Sequence, residues 1–137
     1  MIRSAHLGRE IHLTVVNKIG VLADLSKTLA DHGLDLEAVA GYSAGTEARI
    51  SVVTSDSLRT AEALRKAKYS NVHEQEVLIL EMENKPGVLK AVTSDLARES
   101  IDINRLYATA CSADCPAKLV LSTSNNEKAL VVFRRQP

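Results

Sequence analysis

Asn17-Lys18-Ile19-Gly20-Val21-Leu22 returns 67 residues later as Asn84-Lys85-Pro86-Gly87-Val88-Leu89. Each copy closes an apolar alternating run and opens an amphipathic one, so each reads as a strand-to-helix loop. A loop of this kind, closed by glycine where a helix starts, presents backbone N–H groups that the helix cannot pair, a ready seat for an anion or carboxylate. The duplication makes the chain two copies of one unit.

Outward from the loops the likeness continues. Ile11, Leu13 and Val15 alternate at strand period before the first loop, and Leu78, Leu80 and Met82 do so before the second. After the loops, Val21, Leu22, Leu25 and Leu29 share one helix face, repeated by Val88, Leu89, Val92 and Leu96. Gly33 is placed to end the first helix in a left-handed turn. Leu34-Asp35-Leu36 is matched by Ile101-Asp102-Ile103, and nine of the 34 positions of 11–44 are identical to those of 78–111.

The rest of the first unit follows from its punctuation. Residues 34–44 read as a second strand with a bulge near Glu37, because Leu36 and Val39 are out of phase. Gly45-Thr46-Glu47 is a hairpin turn, and 48–54 a third strand. Ser55-Asp56-Ser57 supplies cap residues for a helix carrying Leu58, Ala61, Leu64 and Ala67, and 72–76 is a short fourth strand. The spacing predicts an α+β fold: two tandem ferredoxin-like βαββαβ units, each an antiparallel sheet with its helices on one face. Residues 1–9 form an N-terminal tail or edge segment, 10–76 the first unit and 77–137 the second. The second unit is shortened, with no fourth strand after Phe133. That place is open to residues 1–9, to a partner chain, or to nothing. No linker separates the units, so 72–83 reads as one extended stretch shared by both.

Apolar residues make up 45%, enough for a core, while units of roughly 65 residues are marginal alone and favour docking or dimerisation. Lys plus Arg equals Asp plus Glu at 17 each, which argues against a nucleic-acid surface. No apolar run spans a membrane and no signal peptide is legible, so a cytoplasmic location is expected. Cys111 and Cys115 read as plain loop thiols, and His6, His12, His32 and His73 as scattered surface residues. No catalytic constellation, metal site or cofactor motif is expected.

Strand, then Asn-x-(Ile/Pro)-Gly-Val-Leu, then helix, then (Leu/Ile)-Asp-(Leu/Ile) opening the next strand, resembles the ACT domain, here over residues 10–135. The arrangement is similar to the stand-alone tandem ACT proteins. The resemblance implies a regulatory protein that binds a small ligand, usually an amino acid, where ACT units meet, in a homo-oligomer (a dimer) with a possible partner enzyme. The ligand would sit against the first loop and helix of one unit and the second strand of its neighbour. The residues then expected to contact it are Asn17, Ile19, Gly20, Val21 and Leu22, with Asn84, Pro86, Gly87, Val88 and Leu89. Backbone N–H groups would take the carboxylate and the asparagine amides the polar ends. Asp35 or Asp102 would meet the ammonium if the facing strand points them inward. The rivals are weaker. An acylphosphatase needs arginine in the loop after strand one, an RNA-binding sheet needs central aromatics, and a metallochaperone needs paired cysteines there. The serious alternative is a structural or dimerising module that binds no small ligand.

Overall fold

The computed structural model describes residues 1–110 and 115–135. The chain divides into two compact units, Arg9–Gln75 and a second made of Met1–Gly8 with Glu76–Pro137. Each unit is α+β, an antiparallel sheet with two helices.

The Arg9–Gln75 unit takes the later part of β1 (Ile2–Val16), α1 (Val21–Asp31), β2 (Leu36–Ala44), β3 (Glu47–Thr54), α2 (Ser57–Lys66) and the start of β4 (His73–Met82). Its strands lie in the order β2-β3-β1-β4. β3 runs antiparallel to both neighbours, with Ile11 opposite Val52 and Leu13 opposite Ile50. Alternation puts these four on the face that meets the helices. There Leu25 and Leu29 of α1 and Ala61 and Leu64 of α2 complete the core. The expected bulge is present as a register shift between Leu36 and Ala38. Asp56 caps α2 as expected, accepting from the Arg59 N–H at 3.1 Å, and supplies one of the acceptors that the helix start lacks.

The other unit contains α3 (Val88–Arg98), β5 (Ile103–Thr109), β6 (Ala117–Thr123) and α4 (Asn126–Arg134), with strand order β1-β4-β6-β5. Leu78, Leu80, Leu119 and Leu121 face Val92, Leu96, Ala129 and Phe133. Asn125 caps α4 by accepting from the Lys128 N–H at 3.0 Å. Of the three suppliers left open for the fourth strand, the structure uses the chain's own first residues. The Met1 carbonyl accepts from the Glu83 N–H at 2.9 Å. Ile2, Ala5 and Leu7 pack on this core, and the Arg134 guanidinium donates to the Ala5 carbonyl at 3.3 Å. Residues 1–8 are thus an edge strand of this unit and not a tail. Val77, Ile79 and Val120, which alternate with the core residues of their strands, are buried as well. Of the cysteines, Cys111 lies outside the described residues, and Cys115 is disulfide-bonded, against the expectation of a plain thiol. The longer turn expected at 112–116 also lies largely outside them.

α1 and α3 end alike. Leu34 N–H returns to the Leu29 carbonyl at 3.0 Å and Ile101 N–H to the Leu96 carbonyl at 2.9 Å, each across a left-handed residue. That residue is Gly33 at φ +67 in one unit and Ser100 at φ +56 in the other. A side chain in this region costs energy that glycine does not pay, offset in part by the greater freedom of glycine when unfolded. Ser100→Gly is therefore expected to raise stability by about 0.5–1 kcal/mol, read from the urea midpoint at constant slope. A lower midpoint would contradict it.

Candidate functional site

Both hexapeptides adopt one geometry. Gly20 has φ 90 and ψ −1, and Gly87 has φ 87 and ψ −10. The Val21 N–H reaches the Lys18 carbonyl at 3.3 Å, and the Val88 N–H reaches that of Lys85 at 3.4 Å. These are type II turns, in which the third residue must carry a positive φ and proline suits the second. Pro86 takes that second position in one turn and Ile19 in the other, so the absent proline leaves the turn unchanged. An added Cβ at Gly20 or Gly87 would meet nothing within 4 Å. The backbone dihedral, and not crowding, selects glycine here.

Each turn delivers its chain into a helix start. The Asp24 N–H bonds the Gly20 carbonyl at 2.9 Å and the Ala91 N–H bonds that of Gly87 at 3.0 Å, which begins the helical ladder. The N–H groups of Leu22 and Ala23, and of Leu89 and Lys90, precede that ladder and meet no protein acceptor among the described residues. With the helix dipole they form a partly positive surface. Asn17, Ile19 and Gly20 are exposed, as are Pro86 and Gly87, while Asn84 is half-buried and Val88 belongs to the core. Leu22 and Leu89 are exposed.

Asp35 and Asp102 are exposed but lie elsewhere. β2 runs parallel to β1, since both oppose β3. Val16 and Ala44 both pair with Glu47 at one end of the sheet, and Leu36 pairs with Thr54 at the other. The Asp35 carbonyl accepts from Ser55 N–H at that far end, as the Asp102 carbonyl does from Ser124 N–H. Within its own unit, neither aspartate is brought to the turn.

Beside the first turn lies an open groove of about 480 Å³. Its apolar walls are Val15, Val16, Val21 and Ala67, and its charged groups are Lys18, Asp24, Glu47 and Lys68. Tyr69 and Asn71 close it on the α2–β4 side. Burial first, and then the charge of Asp24, push the Tyr69 phenol above its ordinary pKa, against a hydrogen bond with Thr28. Sequence reading missed the groove because its far wall is a corner some fifty residues from the turn. The signal available was the first helix: its first turn carries Asp24 where the repeat has Ala91.

A second polar cluster was also missed. Glu10 is fully buried, and its Oε1 lies 2.8 Å from His12 Nε2. His12 Nδ1 lies 3.2 Å from the Ser51 hydroxyl, across the β1–β3 pair that sets the two residues opposite each other. The His73 ring stacks on that of His12 with centroids 5.5 Å apart. The expectation of a surface histidine therefore fails for His12. Hydroxyl, imidazole and carboxylate stand in the order of a hydrolytic triad, but Ser51 is buried in mid-strand, out of a substrate's reach. The cluster is a hydrogen-bonded polar core element.

No protein-family model and no curated protein matches the sequence. Among solved structures, the chain is similar to protein BT0572 from Bacteroides thetaiotaomicron, with a TM-score of 0.87, 24% identity, and coverage of 95% of this chain and 88% of that one. It is similar over 98% of both chains to the regulatory subunit of aspartate kinase from Thermus thermophilus, in its ligand-free form, with a TM-score of 0.70 and 13% identity. It also matches 32% of the E. coli aspartokinase III chain, solved in complex with aspartate and ADP, over 96% of its own length at a TM-score of 0.56 and 19% identity. The two tandem βαββαβ units are thus a fold shared with a regulatory subunit of aspartate kinase.

Proposed function

We propose that this chain is a non-enzymatic regulatory protein of the ACT type that binds a small ligand, an amino acid, at its helix-opening turns. The observation that carries this reading is the pair of exposed type II turns, each leading to helix N–H groups that meet no protein acceptor among the described residues. Such groups favour a carboxylate. The fold shared with a regulatory subunit supports the regulatory role. The Asn17–Leu22 and Asn84–Leu89 turns are the proposed contacts. Asp35 and Asp102, at the far end of their own units, would contribute only to a turn other than their own. The protein acts by changed association, or by changed contact with a partner enzyme, in the cytoplasm. None of its helices among the described residues is long and apolar enough to cross a membrane.

Thermal denaturation with each of the twenty amino acids tests the ligand. One present at 100 times its Kd should add about 2.7 kcal/mol of stability. If none moves the transition, the ligand reading fails.

One observation favours the alternative of a dimerising module without a ligand. Exposed apolar side chains recur at equivalent places in the two units: Leu22 with Leu89 beside the turns, and Val39 with Leu106 on β2 and β5. β2 and β5 are the end strands in the order of their units. An uncharged end strand such as Ala38–Ala44 is a template for pairing with a second copy. Sedimentation of Val39→Lys against wild type reads this directly: a dimer that dissociates more readily supports the surface, and an unchanged dimer removes β2 from it.

A further inference from the structure

Resting on the ligand-binding reading above, we infer that only the Arg9–Gln75 unit holds the ligand, in the groove beside Asn17–Leu22, and that the ligand is a small zwitterion with an apolar side chain. The repeat itself supplies the contrast. Lys85 follows Glu83 by two residues, and its ammonium meets that carboxylate at 2.7 Å. The hydrogen bond and charge of Lys85, and then the amino terminus 3.5 Å away, hold the Glu83 carboxyl below its usual pKa. The Lys85 ammonium at the second turn is thus already engaged by a carboxylate of its own unit. At the equivalent position the first unit has Val16 in place of Glu83, and Lys18 forms no ion pair among the described residues.

Lys18 shares this state with the other charges of the groove. Lys68, Asp24 and Glu47 also form no ion pair among the described residues. Two cations and two anions therefore face one open cavity whose walls are Val15, Val16, Val21 and Ala67. Val16 is 71% exposed, a cost that an apolar ligand group would relieve. A bare anion would meet Asp24 and Glu47, and a diamine would meet Lys18 and Lys68, so neither suits the set. A molecule carrying one ammonium and one carboxylate is attracted by both pairs. The carboxylate goes to the lysines, near the open N–H groups of Leu22 and Ala23, and the ammonium to Asp24 and Glu47. The backbone frames the same corner: Lys68 and Asn71, on either side of Tyr69, are two of the three non-glycine residues with positive φ among the described residues.

The test is an amide NMR titration of the full chain with the twenty amino acids, followed by the amide and the N-acetyl form of any that binds. Each derivative lacks one of the two charges. Variants are Lys18→Met, Asp24→Asn and Lys85→Met, all at non-buried positions where folding is spared. Shifts at residues 14–24 and 67–71, lost with either derivative, support the groove. So does weakening of about tenfold or more in Lys18→Met and Asp24→Asn with Lys85→Met unchanged. Shifts centred on Asn84–Leu89, with Lys85→Met the damaging variant, would overturn the groove and leave the regulatory reading standing. No shift with any amino acid would overturn both.

Discussion

Removal of residues 1–8 is expected to unfold the unit formed by Glu76–Pro137 while Arg9–Gln75 keeps its core. The deleted segment is that unit's fourth strand. Ile2, Ala5 and Leu7 lie half-buried on its core, and full burial of one large aliphatic side chain is worth ~1.5–3 kcal/mol. The sum for three partly buried side chains is a few kcal/mol, a large share of the ~5–15 kcal/mol that holds a domain together. The ladder bond to Glu83 N–H and the Arg134 bond to Ala5 go as well. The deletion also bares one side of β4, which is apolar from Val77 to Leu80, and an edge of that composition self-associates. Hydrogen exchange should show protection lost at the β6 amides, 117–123, and retained at β3, with soluble aggregate in sedimentation. Equal protection at β6 in the truncated and full chains would refute the structural role given to these residues.

The second large effect is expected at Glu10. Glu10→Ala removes a fully buried carboxylate and the bond it makes at 2.8 Å to an imidazole whose other nitrogen lies 3.2 Å from the Ser51 hydroxyl. Leaving a largely buried hydrogen-bonding group without one of its partners costs about 1–3 kcal/mol. Glu10→Gln keeps the shape and an acceptor oxygen, so it should cost well under half as much. Urea titrations of the two variants decide: a loss below about 1 kcal/mol for Glu10→Ala, within the range of surface substitutions, would mean the cluster contributes little.

These two sites mark where the sequence ceased to be legible. Most strands, helices and turns of the two units could be read from period-two and period-3.6 patterns, from Asp56 before its helix, and from Gly20 and Gly87. All are local signals, and the repeat confirmed them by appearing twice. Met1–Gly8 gave no comparable signal. Ile2, Ala5 and Leu7 break strict alternation, and their partners lie more than seventy residues away. Glu10 and His12 alternate with Ile11 and Leu13, a pattern that reads as a solvated outer face. Their burial is a tertiary fact that no period encodes. The turns were legible as backbone. The groove was not, because Tyr69 and Asn71 reach it through the return of α2, and the pairing of Lys85 with Glu83 depends on side-chain geometry at a strand end.

Met1–Gly8 is made before Arg9–Gln75 yet belongs to the unit whose other strands are made after it. During synthesis, residues 9–75 emerge with all the strands of their own unit, while the eight residues ahead of them have no sheet to join. At ~5–20 residues per second, the remaining strands leave the ribosome only after a delay on the order of seconds. Throughout that interval Ile2–Leu7 lacks the core it packs on, and its apolar side chains are open to the unfinished sheet of a neighbouring nascent chain.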